Sequence, residues 1–157
     1  MEMLLRMMFD RFSETTRQVI RLARRDAERA HHDSVGPEHL LYALLRHNHG
    51  IALAVLERLG VHRDAMLDDL RHARRDILSS KAGDEIPFDK QALEVLERTI
   101  GEARRLGDHF VGTEHLLLGL AMIESVAAVR LREQGASAAA VLREVASLVS
   151  RRNDVER

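Results

Sequence analysis

The sequence predicts an all-α fold in which two four-helix units form a pseudo-twofold eight-helix bundle, and three observations predict it. Val35-Gly36-Pro37-Glu38-His39-Leu40-Leu41 recurs as Val111-Gly112-Thr113-Glu114-His115-Leu116-Leu117, an offset of 76 residues. The same offset carries Phe12 onto Phe88, Val19 onto Val95, Ala27 onto Ala103 and Leu44 onto Leu120, and after one deleted residue it takes Gly60 to Gly135 and Leu67 to Leu142. Such register marks a tandem duplication. Around both copies the apolar residues fall at helical spacing, and no segment alternates apolar and polar as a half-buried strand would.

The first helix opens at Ser13, whose hydroxyl suits an N-cap, and Thr16, Val19, Ile20, Ala23, Ala27 and Ala30 make one stripe. Its counterpart opens at Asp89, with Ala92, Val95, Leu96, Thr99, Ala103 and Leu106 on the matching face. Second helices start at the repeated motif. Pro37 suits the first helical position, where its missing N–H costs nothing, and Leu40, Leu41, Leu44 and Leu45, or Leu116, Leu117 and Leu120, supply the buried side. Third helices are expected over 51–59 and 126–134, stopped by Gly60 and Gly135 at C′. Fourth helices are expected over 63–78 and 137–149. The period is lost in Ser79-Ser80-Lys81-Ala82-Gly83-Asp84-Glu85-Ile86-Pro87, which has loop chemistry. The organisation is an N-terminal extension 1–8, a first repeat at about 9–78, a linker 79–87, a second repeat at about 88–149, and a charged, fraying tail 150–157. The methionines at 1, 3, 7 and 8 leave the start of translation open.

Composition narrows the function. A chain of 157 residues is long enough to bury a core without a staple. With no cysteine it has no thiol nucleophile, Cys-based zinc site or disulfide, which suits a cytoplasmic setting. Net charge is −1 and 3% of residues are aromatic, so neither a phosphate-backbone binder nor a base-stacking platform is expected. No run approaches the roughly 20 apolar residues of a membrane span. Arginine supplies all basic residues but Lys81 and Lys90, in doublets at 24–25, 74–75, 104–105 and 151–152. Asp26, Glu28, Asp76 and Glu102 lie close by, so these doublets read as solvated helix faces.

Phe9-Asp10-Arg11-Phe12-Ser13, followed twice by Gly-(Pro/Thr)-Glu-His-Leu-Leu, resembles the double Clp-N repeat of Clp ATPases, most closely the ClpC type, over nearly the whole sequence. The resemblance implies a non-enzymatic module that receives substrates and docks adaptors of a Clp ATPase–protease system, with no cofactor and no metal. These 157 residues hold no Gly-x-x-x-x-Gly-Lys-Ser/Thr phosphate loop, so the implied protein is either free-standing or an excised domain. A free-standing form could act as an adaptor, or as a decoy that sequesters cyclic-peptide ligands of the related ATPase.

The resemblance also nominates site residues. Glu38 and Glu114 match glutamates that in some ClpC proteins hold the guanidinium of phosphoarginine, while a nearby helix N-terminus takes the phosphate. Equally, a carboxylate in a first helical turn can simply satisfy backbone donors there. Ser13 and Asp89 stand where the family's helix-opening threonine would be, and Asp89 puts like charge where phosphate would sit. Thr113 keeps the motif threonine that Pro37 replaces. Taken half by half, the first repeat is the better candidate. Phe9 and Phe88, with Leu93 one turn past Asp89, match a surface that accepts cyclic peptides, whereas Phe12 and Phe88 also read as hydrophobic staples. His39 and His115 read as packed or capping side chains, because Glu-His-Leu-Leu lacks the second histidine of a zincin helix. The pairs His31-His32 and His47-x-His49 read as solvated, without equivalents in the second half. A metal-assisted hydrolase is the competing class, and no nucleophile, base and oxyanion donor stand at recognisable spacing for it.

Overall fold

Ser13 and Asp89 open the first helix of each half as the repeat requires. The computed structural model describes residues 6–7, 9–47, 49–73 and 86–155. A 3₁₀ turn, Phe9–Arg11, precedes α1 (Glu14–Arg29), α2 (Pro37–His47), α3 (Ile51–Arg58) and α4 (Arg63–Ala73). The second half contributes α5 (Lys90–Arg105), α6 (Thr113–Met122), α7 (Val126–Glu133) and α8 (Ala138–Val155). The Ser13 oxygen accepts from Thr16 N at 3.2 Å, and Asp89 Oδ1 accepts from Ala92 N at 2.8 Å. Both caps satisfy a first-turn donor that has no intrahelical partner.

The expected stripes are buried except at their last members. Ala30 and Leu106 are C-caps, and there the chain turns away from the core, leaving Ala30 exposed and Leu106 half-buried. Gly60 and Gly135 follow α3 and α7 with φ of 77° and 89°, the left-handed step expected of C′ glycines. α4 is described to Ala73, and the rest of its expected span lies outside the described residues, as does the linker up to Glu85. α8 continues through Val155, six residues beyond the expected stop at Val149. Ser150-Arg151-Arg152-Asn153-Asp154-Val155 contains no glycine or proline to break a helix.

The core is built on α2 and α6, which are buried on almost every side; α6 is covered from Thr113 through Ala121. α1 packs on α2, and α5 on α6. Two sets of contacts between the halves come as exchanged pairs, α3 on α6 with α7 on α2, and α1 on α6 with α5 on α2, as a pseudo-dyad demands, and α3 also packs on α8. Among the described residues the only extended pairings are two isolated parallel bridges, Phe12 with Val111 and Val35 with Phe88.

The α5–α6 crossing is tight. Gly119 lies in the middle of α6, where glycine costs about 1 kcal/mol relative to alanine. A Cβ there would stand 2.7 Å from Val95 O and would collide with the Thr99 hydroxyl, which itself donates to Val95 O at 2.7 Å. At the equivalent positions of the first half, alanines 43 and 23 are both fully buried. Gly119→Ala is therefore expected to destabilise by about 1–3 kcal/mol. Adding Thr99→Ala should recover about 1 kcal/mol or more, a coupling that a double-mutant cycle in urea reads directly.

Candidate functional site

The repeated motif folds identically twice. The amide of Gly36 donates to His39 Nδ1 at 2.9 Å, and that of Gly112 to His115 Nδ1 at 2.8 Å. Each histidine thus stands at the third helical position and satisfies the backbone donor at its own helix start, the reverse half of a capping box. With Nδ1 accepting, the ring proton sits on Nε2. His115 Nε2–H donates to Asp108 Oδ2 at 2.8 Å, and His39 Nε2–H to His32 Nδ1 at 2.7 Å. His32 is accordingly 6% exposed, which corrects the expectation that it is solvated. Its counterpart across the 76-residue offset is Asp108, so the second half does have an equivalent partner, of different chemistry. His31 and His49 are exposed as expected, whereas His47 is half-buried, its ring edge-on to that of His49.

Glu38 and Glu114 follow in the first turns of α2 and α6, 7% and 8% exposed. Glu114 Oε1 lies 3.8 Å from His115 Nδ1. That nitrogen already accepts a hydrogen bond and carries no proton, so the approach is not an ion pair. The carboxylate instead folds over Gly112, where a Cβ would come within 2.7 Å of Oε1.

The two bridges decide which helix start faces which glutamate. Ser13 N donates to Val111 O at 3.0 Å and Val111 N to Arg11 O at 2.8 Å. Asp89 N donates to Val35 O at 2.9 Å and Val35 N to Pro87 O at 2.8 Å. The start of α1 is thereby tied to the motif of the second half, and the start of α5 to the motif of the first. Ser13, Thr15, Gly112, Thr113 and Glu114 line one cleft of about 450 Å³, with Phe110 at its mouth, 67% exposed. The combination expected within the first repeat, Ser13 with Glu38, is not the one the fold brings together. Ser13 stands with Glu114, and Asp89 with the Glu38 motif.

Thr113 lies in the wall of this cleft but is 2% exposed, and its hydroxyl oxygen accepts from Ala52 N at 3.2 Å. Gly50 has no side chain with which to cap α3, so the opposite half provides the cap. On the equivalent side Pro37 offers no hydroxyl, and α7 is capped from within, by Ser125 Oγ on Ala128 N at 3.2 Å.

The aromatic residues divide. Phe12 is fully buried in the core, but the N4 position of α1 holds Arg17, so no apolar staple partner stands there. Phe9 and Phe88 are half-buried and line a groove of about 660 Å³ beside α1, and Phe9 stands edge-on to Phe12. Leu93 is half-buried and is not among the described residues lining that groove. The arginine doublets are offset less locally than their spacing suggests: Asp26 receives two hydrogen bonds from Arg46 of α2, while Glu102 holds Arg105 on its own helix. The doublet at 74–75 and Asp76 lie outside the described residues.

Comparison with known proteins gives the site its context. The family model for the Clp repeat (R) N-terminal domain matches residues 11–134. The chloroplastic chaperone ClpC1 of Arabidopsis thaliana is 40% identical over 152 residues, which cover 94% of this chain but 16% of that protein. The chain thus spans about a sixth of the length of that relative. Among solved structures, the Hsp104 N-terminal domain from Candida albicans superposes with a TM-score of 0.75 at 20% identity, covering 87% of this chain and 90% of that one. A complex of the ClpV N-domain with VipB peptide superposes at 0.69 and 16% identity, covering 89% and 92%. No described helix is long and apolar enough to cross a membrane.

Thr113→Ala removes the cap on α3 and is expected to cost about 1 kcal/mol, while Thr113→Ser should retain most of that stability. Thermal melts of the two variants check this.

Proposed function

The chain belongs to the Clp repeat N-terminal domain family, and from that premise we propose a non-enzymatic recognition module that holds peptides, adaptors or degradation-marked proteins for a Clp ATPase. The observation that carries the reading is the cross-half cleft, where the N-terminus of α1 and the Glu114 carboxylate share one wall. First-turn amides of α1 have no intrahelical acceptor and favour an anion, and a buried carboxylate favours a planar cation. A phosphorylated arginine has both charges on one side chain. In our reading its phosphate sits at Ser13 and the α1 amides, and its guanidinium on Glu114.

The companion site is weaker. Asp89 places a negative charge at the start of α5, and Pro37 lacks the first-turn N–H that Thr113 keeps beside Glu114. Peptide segments, cyclic ligands included, would use the Phe9–Phe88 groove, since aromatic anchors dominate such contacts; the ClpV N-domain, of the same fold, is known in complex with a VipB peptide. We place the module in the cytoplasm on its lack of cysteine, whereas the Arabidopsis relative is named chloroplastic.

Calorimetry with free phosphoarginine tests the assignment. Glu114→Ala is expected to weaken binding about ten-fold or more, the scale of a charge-assisted bond, and Glu38→Ala to leave it nearly unchanged. Equal heats from wild type and Glu114→Ala, or loss on Glu38→Ala alone, would contradict it.

A further inference from the structure

We infer that the groove beside α1 selects acidic peptide segments with an apolar face, an inference that rests on the peptide-binding reading and names its ligand class. The floor is apolar, formed by Phe9, Ile20 and Phe88, and among the described residues the lining carries Arg6, Arg21, Arg24 and Arg25 against one carboxylate, Glu28. This concentration of positive charge sits on a chain whose net charge is −1. Arg21, Arg24 and Arg25 fall at i, i+3 and i+4 on α1, so their side chains leave one helix face as neighbours. The Arg24 guanidinium lies 4.8 Å over the Phe88 ring, which holds its planar fork in place. Arg25 is exposed and has no acidic partner among the described residues, and Arg21 meets Glu14 only at 3.6 Å with both side chains more than half exposed.

The duplication serves as an internal control on why these arginines are there. The offset of 76 maps Arg21, Arg24 and Arg25 onto Glu97, Ile100 and Gly101 of α5. α5 packs on α6 as α1 packs on α2 without any of the three cations, so packing of the repeat does not require them. The outer face of α5 has instead a shallow depression lined by Glu94, Glu97 and Arg98. Arg21 and Arg25 thus correspond to positions that on α5 border an acidic depression, and of these two surfaces the one with aromatic anchors is the basic one. Opposite charge raises encounter rate and fixes the register of a partner, and aromatic contacts supply residence.

Fluorescence anisotropy with labelled amphipathic peptides of Leu-Leu-Glu-Glu repeats tests this on the full chain, beside Leu-Leu-Gln-Gln and Leu-Leu-Lys-Lys peptides. The Glu peptide should bind about ten-fold or more tightly than the Gln peptide, and the preference should vanish near about 1 M NaCl, where the Debye length is about 3 Å. Arg21→Glu with Arg25→Glu should abolish the preference, and Arg21→Gln with Arg25→Gln should reduce it, circular dichroism confirming that both pairs fold. Equal binding of the Glu and Gln peptides would overturn the acidic selectivity and leave peptide binding intact. Failure of all peptides, with loss of Glu114-dependent phosphoarginine binding, would bring down the module reading itself. Binding of phosphatidylserine vesicles or duplex DNA that depends on Arg21 and Arg25, without binding of the Glu peptide, would overturn the inference in favour of those polyanions.

Discussion

Four backbone hydrogen bonds hold this molecule to its architecture. Each half presents a short extended segment, Val35 or Val111, whose N–H and C=O find partners only in the other half, on either side of Phe88 or Phe12. Both valines are buried, so leaving those groups unpaired would cost about 1–3 kcal/mol for each one. Neither half can satisfy them alone. The exchange explains why two copies of one unit fold as a single body, and why the cleft at Ser13 and Glu114 is composite.

Around that shared frame the halves have drifted while keeping each physical task performed. A histidine caps the motif in both, but His39 leans on another histidine and His115 on a carboxylate. The first-turn donor of α3 borrows Thr113 across the dyad, whereas α7 uses its own Ser125. Where α1 packs on α2 and α5 on α6, Ala23 and Ala43 stand at the repeat positions of Thr99 and Gly119. Such exchanges show which features the fold demands and which a ligand could demand. Capping and volume are conserved in effect; the outer charges of α1 and α5 are not, and these face solvent.

Much of this was legible in the sequence, because the repeat and the C′ glycines are local signals. The offset of 76 located all four helices of each half, and Gly60 and Gly135 ended α3 and α7 within a residue. The crossed assignment of Ser13 to Glu114 was not legible. A single bridged residue leaves no periodicity, and a twofold repeat fits equally well whether the N-caps pair within or between halves. His32, a loop residue, read as solvated because its burial comes with a ring seven residues away; mapping it onto Asp108 would have exposed its role. Leu93, one turn past Asp89, does not line the groove that Phe88 lines, because closeness in sequence on a helix does not fix which face a side chain shares.

Native-state hydrogen exchange at the amides of Ser13, Val35, Asp89 and Val111 tests the central claim most directly. All four should exchange only through the global opening, with the free energy of the slowest amides in α2 and α6 and with the same denaturant dependence. Exchange of these amides on the timescale of loops, or protection of one half while the other opens, would contradict the account.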